Sequence, residues 1–192
     1  GCGALSGDDE PGSTDQVAAA FYPLAYATER VVGEHFEVLN LTQPGKESHE
    51  LELSVKSTAE VAESAAVVFS SGYQPAVDAA VAQNAKGVVI DAADVADLQA
   101  ADDHDHGEHG DHGDGGHEDG HEDGHEGHDH GDVDPHFWLD PLRMADVADA
   151  IAAQMADLDP DHAGDFTANA AAFRAELEEL DAAYTERLAT CE

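Results

Sequence analysis

The stretch AAVVFSSGYQPAVDAAVAQNAKGVVI, residues 65–90, decides the fold. Its first five residues form an apolar run that reads as a buried strand. Ser70-Ser71-Gly72 follows as a turn. Pro75 sits where a helix begins, and the run to Asn84 reads as that helix. Residues 87–90 return to a β-branched apolar run, a second strand. Strand, helix and strand at this spacing form a βαβ unit, whose strands lie parallel.

Working outward, the same alternation recurs on the N-terminal side. Residues 17–21 read as a strand, and Pro23 opens a helix that runs to Val32 and stops at Gly33. Residues 36–41 alternate as another strand, and residues 42–49 are loop. Ser57-Thr-Ala-Glu60 has the form of a capping box and is expected to open a helix ending near Ser64. The fold class is therefore α/β, a parallel sheet with helices on both faces. On the C-terminal side a helix is expected from Pro141, with Leu142, Ala145, Ala148, Ile151, Met155 and Leu158 on its buried face. Asp159 is expected to cap a longer helix with Pro160 at its first position. The apolar face of that helix runs Phe166, Ala170, Phe173, Leu177, Leu180, Tyr184, Leu188. It reaches the last residues without a stop signal, which reads as a chain cut off in mid-protein.

Charge excludes whole classes of function. The 192 residues carry 7 Lys plus Arg against 43 Asp plus Glu, a formal net charge of −36. Such a chain is repelled by phosphate backbones and anionic lipid headgroups, so no nucleic-acid partner is expected, whereas cations are drawn to its surface. There is no apolar run long enough to span a bilayer. No nucleophile–base pair or acid pair stands out, so no enzyme is expected. Cys2 and Cys191 lie at opposite ends, and loose termini argue against pairing them. The opening Gly-Cys2-Gly-Ala-Leu-Ser-Gly leaves two readings. Cys2 is the lipid-bearing first cysteine of a processed lipoprotein, with residues 3–15 as tether, or this is an ordinary polar N-terminus that holds a cysteine.

Histidine is the anomaly. Of the 13 in the chain, nine fall in one tract: His104, His106, His109, His112, His117, His121, His125, His128 and His130. Residues 102–132 contain Gly, Asp, Glu and His and no aliphatic or aromatic side chain, so they have nothing to bury and are expected to be a disordered loop inserted in the domain. Imidazole suits Zn²⁺, while hard cations such as Mn²⁺ favour oxygen, so the tract points to zinc over manganese. Ordering a floppy loop costs about 1–2 kcal/mol per residue, so these sites are expected to be loose and exchangeable. Two matches to H-E-x-x-H, starting at His117 and His121, lack the helix that a metalloprotease site needs, because Asp-Gly fills each motif.

His49 and His136 differ in kind. Each lies in a loop flanking a regular element, on the side of an α/β sheet where ligands bind. From pattern alone each is a candidate ligand, beside the structural role that single loop histidines more often have.

Four segments in order carry a family resemblance: Ala20-Phe-Tyr-Pro-Leu24, Pro44-Gly-Lys-Glu-Ser-His49-Glu-Leu-Glu52, Val68-Phe-Ser-Ser-Gly72 and Asp134-Pro-His136-Phe-Trp-Leu-Asp-Pro141. Over residues 16–192 they resemble the zinc/manganese substrate-binding proteins of bacterial ABC importers. The acidic His tract just before the second histidine matches the zinc-specific branch. The resemblance implies two α/β lobes joined by a long helix, with metal held between them. On that reading residues 1–15 are a tether, 16–101 and 133–158 one lobe, 102–132 the inserted loop and 159–192 the connecting helix. His49 and His136 become the first two ligands, and the tract histidines a low-affinity collector. The family's third ligand, a histidine, and a fourth, acidic group or water fall past Glu192. His162 has no motif match to replace them. Gln74 stands where the family pattern often has Glu, and no metal role is assigned to it.

The implied function is capture of Zn²⁺ outside the cytoplasmic membrane and delivery to an ABC permease, with membrane association through lipid on Cys2 alone. Two alternatives are a metal buffer that works mainly through its tract and a surface adhesin.

Overall fold

The computed structural model describes residues 15–49, 51–96, 98 and 134–190. The tract histidines, Cys2 and Cys191 lie outside these residues, and the expectations about them are not addressed by the fold. The described residues form four strands and five α-helices: β1 (Gln16–Ala19), α1 (Tyr22–Val32), β2 (Glu37–Asn40), α2 (Val55–Glu63), β3 (Ala66–Phe69), α3 (Pro75–Asn84), β4 (Val88–Asp91), α4 (Pro141–Leu158) and α5 (Ala163–Leu188). All strand pairs are parallel, in the order β2-β1-β3-β4.

Burial follows from that order. The central strands β1 and β3 are buried, apart from Gln16 at the start of β1, and are mostly Ala and Val, whereas the edge strands β2 and β4 are partly exposed. Right-handed crossovers set the layers. The chain steps from β1 to β2 in one direction, then from β2 past β1 to β3 and on to β4 in the other. So α1 lies on one face and α2 with α3 on the opposite face. Helices α4 and α5 join α1. Geometry requires glycine at the end of α1 and at the entry to β4. Gly33 ends α1 at φ 58°, and its N–H donates to the Glu29 carbonyl. At Gly87 a Cβ would lie 2.3 Å from the Ala65 carbonyl oxygen, so no side chain fits where β4 enters beside β3.

Three sequence expectations are corrected. Helix α2 starts one turn earlier than the capping-box reading. Ser54 is the cap, its hydroxyl accepting the Ser57 N–H at 3.1 Å, and Glu60 lies in the helix interior, paired with Lys56. Asp159 does not cap the long helix. The chain first makes a 3₁₀ turn over Pro160–His162, and the Asp159 carboxylate accepts from His162 Nδ1 at 2.7 Å. On α4 the buried stripe is centred on Met144, Val147, Ala148, Ile151 and Met155. Leu142 and Leu158, at its two ends, lie off this stripe and are exposed.

The long apolar face of α5 is used over only half its length. Phe166, Ala170 and Phe173 are buried against α1 and α4. Asn169 Nδ2 donates to the Val31 carbonyl at 3.0 Å, satisfying an acceptor at the end of α1. Arg30 grips Glu176 through two bonds of 2.7 and 2.9 Å and lies 4.6 Å over the Phe173 ring. Beyond Leu177 the face emerges: Leu180, Tyr184 and Leu188 are 46%, 56% and 58% exposed, so their expected burial does not hold among the described residues. They line an open apolar groove with Trp138, Leu139 and Met144.

Candidate metal centre

In a parallel sheet the loops that follow the strands share one edge. Here the loop after β2 carries His49, the turn after β3 carries Tyr73, and Phe21 follows β1 directly. The chain reverses direction across β1, which makes this edge the topological switch point where α/β sheets place ligands. The segment before α4 brings His136 to the same edge, and a 3₁₀ turn over Phe137–Leu139 places Trp138 beside it.

The two histidines meet there. Their ring centroids are 5.7 Å apart and the ring planes cross at 60°. An ion bound at about 2.0–2.1 Å by one nitrogen of each ring, at a tetrahedral angle, sets the centroids roughly 5 Å apart. The observed pair is within a small adjustment of that spacing. Tyr73 packs against His49 at 4.4 Å and Trp138 against His136 at 5.2 Å, while Phe21 and Tyr73 close the floor at 4.7 Å. These rings give the imidazoles an apolar bed that limits their rotation and excludes water from one side.

His136 is oriented by Asp134. One carboxylate oxygen, Oδ1, accepts both the His136 backbone N–H at 2.9 Å and Nδ1 at 2.7 Å. These two bonds hold the Asp134 carboxyl below the usual carboxylate range. An ionised carboxylate only accepts, so Nδ1 carries a proton, and in the neutral ring Nε2 is the nitrogen with a lone pair to offer. A carboxylate behind the ring raises the basicity of an imidazole ligand. On the other side of the site, Tyr73 OH and Ser48 Oγ share a 2.6 Å hydrogen bond, and burial pushes the Tyr73 phenol up. The turn that carries Tyr73 is pinned by Gly72 N–H to Asp78 Oδ2 and Ser71 N–H to Asp91 Oδ1, each 3.0 Å. Burial raises the Asp78 carboxyl, with the Gly72 bond opposing it.

Among the described residues no third His, Cys, Asp or Glu joins the pair, and no group of three such residues is placed to hold a metal ion. His162 is not near. It stacks on His35 in the segment between α1 and β2, at the opposite edge of the sheet. The sequence reading singled out His49 and His136 and missed their surroundings. Asp134 was legible in principle, since an Asp two residues before a histidine in Asp-Pro-His is placed to bond that residue's own N–H. The aromatic bed was not, because Phe21, Tyr73 and Trp138 come from three separate segments.

The chain is thus an α/β lobe with two convergent imidazoles at the ligand-binding edge of its sheet and a long helix leaving it. The chain belongs to the zinc-uptake complex component A (ZnuA) family, whose periplasmic-component profile matches residues 17–192. This is a non-catalytic solute-binding family, in line with the expectation that the chain is not an enzyme. The zinc-binding protein AdcA of Streptococcus pyogenes serotype M1 is 31% identical over 173 residues, covering 90% of this chain and 33% of AdcA. The zinc-binding lipoprotein AdcA of Streptococcus pneumoniae is 28% identical over 178 residues, with 90% and 32% coverage. The chain thus spans about a third of the length of these relatives. The crystal structure of Zn(II)-bound AdcA from Streptococcus pneumoniae matches with a TM-score of 0.71 and 25% identity over 91% of this chain and 33% of that one. The laminin-binding protein Lmb of Streptococcus agalactiae shares the fold, with a TM-score of 0.70 and 24% identity over 92% of this chain and 57% of its own.

Proposed function

We propose that this chain is the N-terminal metal-binding lobe of an extracytoplasmic Zn²⁺ receptor, in which His49 and His136 supply two of the ligands and the bound ion is passed to an ABC permease. The observation that carries the reading is the meeting of two sequence-distant imidazoles at 5.7 Å, one with its Nε2 lone pair presented by Asp134. The zinc-binding relatives, aligned over 90% of the chain, support the choice of ion. Borderline zinc favours imidazole over the oxygen set that manganese prefers. Two histidines leave two positions of a tetrahedron to water or to groups outside the described residues, so the pair alone holds zinc weakly. A lipid on Cys2 would keep the receptor at the membrane, as the lipoprotein relative's description suggests.

The nine tract histidines act in this scheme as a collector of low affinity and high capacity. Trp138 gives the lobe its own signal: it is the only tryptophan and lies 5.2 Å from the His136 ring. Zinc added to the full chain should change Trp138 emission and, by direct metal analysis, bind in more than one equivalent. Deleting residues 102–132 should remove most of the equivalents and leave the Trp138 response. If the deletion abolishes the Trp138 response while capacity falls to nothing, the chain is a buffer working through its tract and the receptor reading fails.

A further inference from the structure

Gln74 is 1% exposed and heads α3, where its backbone carbonyl accepts from Val77 and Asp78. Its side chain does not cap that helix. It runs the other way, under the His49 loop, where Nε2 donates to the Ser48 carbonyl at 2.7 Å and to Thr42 Oγ1 at 3.0 Å. The orientation of the amide is determined by its partners. A carbonyl only accepts, and the Thr42 hydroxyl spends its one hydrogen on the Ala20 carbonyl at 2.7 Å. Both hydrogens of the amide are therefore used. Its oxygen, Oε1, is buried and has no hydrogen-bond partner among the described residues. The side chain is kept for what it donates.

We propose that Gln74 is a positioning residue for His49: its NH₂ group ties the end of β1, the end of β2 and the His49 loop to the head of α3, and so sets the spacing between the His49 and His136 rings. The proposal rests on the receptor reading above. Ser48 is held on both sides, its carbonyl by Gln74 and its hydroxyl by Tyr73, and His49 is the next residue. Elsewhere in the loop Lys46 N–H bonds the Gln43 carbonyl, the Ser48 and His49 N–H groups both reach the Glu47 side chain within the loop, and the His49 ring packs on Tyr73, so the bond from Gln74 to the Ser48 carbonyl is what joins the loop's main chain to α3. Without the amide, the carbonyl of the residue preceding His49 loses its donor. A carboxylate here would be worse than an apolar group of similar size, because it would set acceptor against acceptor at the Ser48 carbonyl and draw the Thr42 hydroxyl's hydrogen away from Ala20. Groups that orient metal ligands without touching the metal typically contribute tenfold to a hundredfold in affinity.

The test uses the full chain with Gln74→Leu, Gln74→Glu, which keeps the shape, and Val77→Ala as a control that weakens α3 packing without touching the loop. Without metal, wild type and Val77→Ala should show a nuclear Overhauser contact between the His49 and Tyr73 rings. Both Gln74 variants should lose it while keeping a cooperative unfolding transition. With Zn²⁺ as probe and Trp138 emission as readout, the Gln74 variants should bind at least about tenfold more weakly, Gln74→Glu the weaker of the two, and Val77→Ala as wild type. An unchanged ring contact in both Gln74 variants overturns the proposal, as does affinity that tracks the loss of stability equally in all three. If wild type gives no Trp138 response to zinc, the receptor reading fails on that arm, and the metal-free ring contact still decides the role of Gln74.

Discussion

Among the described residues the lobe carries two pairs of neighbouring histidines at opposite edges of its sheet, and their rings meet at different angles. His35 and His162 are closer, at 4.0 Å between centroids, but their planes are stacked at 28°. Nearly parallel rings send their lone pairs out in planes that converge only well away from both, so no ion lies about 2.0–2.1 Å from a nitrogen of each. Each ring is also tied to a carboxylate, His35 Nε2 to Asp165 at 3.0 Å and His162 Nδ1 to Asp159 at 2.7 Å. His49 and His136 stand farther apart and cross at 60°, and His136 Nδ1 is held by Asp134 at 2.7 Å. On the proposed assignment, proximity of imidazoles is a poorer guide to the site than the angle between their planes. The stacked pair has a different task. It joins the start of α5 to the segment after α1, over the edge of the buried Phe166 ring.

The sharpest way to break this contrast is to remove each pair in turn. His49→Ala with His136→Ala should abolish the Trp138 response to zinc, and His35→Ala with His162→Ala should leave it intact. A response that survives the first double change, or disappears with the second in a folded chain, reverses the assignment.

Next in size is the support beneath the stacked pair. Phe166 is fully buried, 5.6 Å from the His35 ring and 6.2 Å from the Phe36 ring. Phe166→Ala should cost about 3–5 kcal/mol in denaturant unfolding. A loss below about 1 kcal/mol would mean that α5 does not depend on this anchor. Asp134→Asn addresses the other edge. It removes the ionised acceptor that fixes the His136 tautomer, and zinc affinity should fall tenfold to a hundredfold with little change in stability. Equal affinity would show that the ring is oriented by its aromatic neighbours alone.

The smallest effect is one of pH. Hydrogen bonding to Asp159 raises the His162 imidazole, helped by the charges of Asp159, Asp165 and Asp161. A raised folded value means that His162 contributes stability fully at pH below about 6.5, its unfolded value, and loses it as pH climbs through the folded value. Asp159 is lowered by the same bond, so its share is present above its unfolded value and disappears in acid. Wild type should therefore exceed His162→Asn in melting temperature by more at pH 6 than at pH 8.5. A gap that widens toward alkaline pH would contradict the pairing.

Much of the lobe was legible because local rules and tertiary context agree there. Pro23, Gly33, Pro75 and Pro141 mark helix boundaries that the backbone respects, and the apolar runs at β1 and β3 are central strands. The misreadings came where a signal had two readings. Ser54 and Ser57 both offer a cap, and the hydroxyl that reaches an unpaired N–H first in the chain wins. Asp159 has both a helix start and a histidine within reach, and the histidine takes it. The periodicity of α5 states that one face is apolar over seven positions but not how far a neighbour extends to cover it, and the covering ends near Leu177.

The sequence by itself determined the alternation of strands and helices, the acidity that favours cations, and the two loop histidines worth suspecting. Those are properties of neighbouring residues and of composition, and short-range sterics and solvation suffice to express them. Strand order, the crossing of the His49 and His136 rings, the aromatic bed beneath them and the reach of Gln74 to Ser48 were decided only in the tertiary structure. Each depends on segments remote in the chain being brought within a few ångströms, and the direction in which a side chain points after that is set by packing and by which polar groups remain to be satisfied.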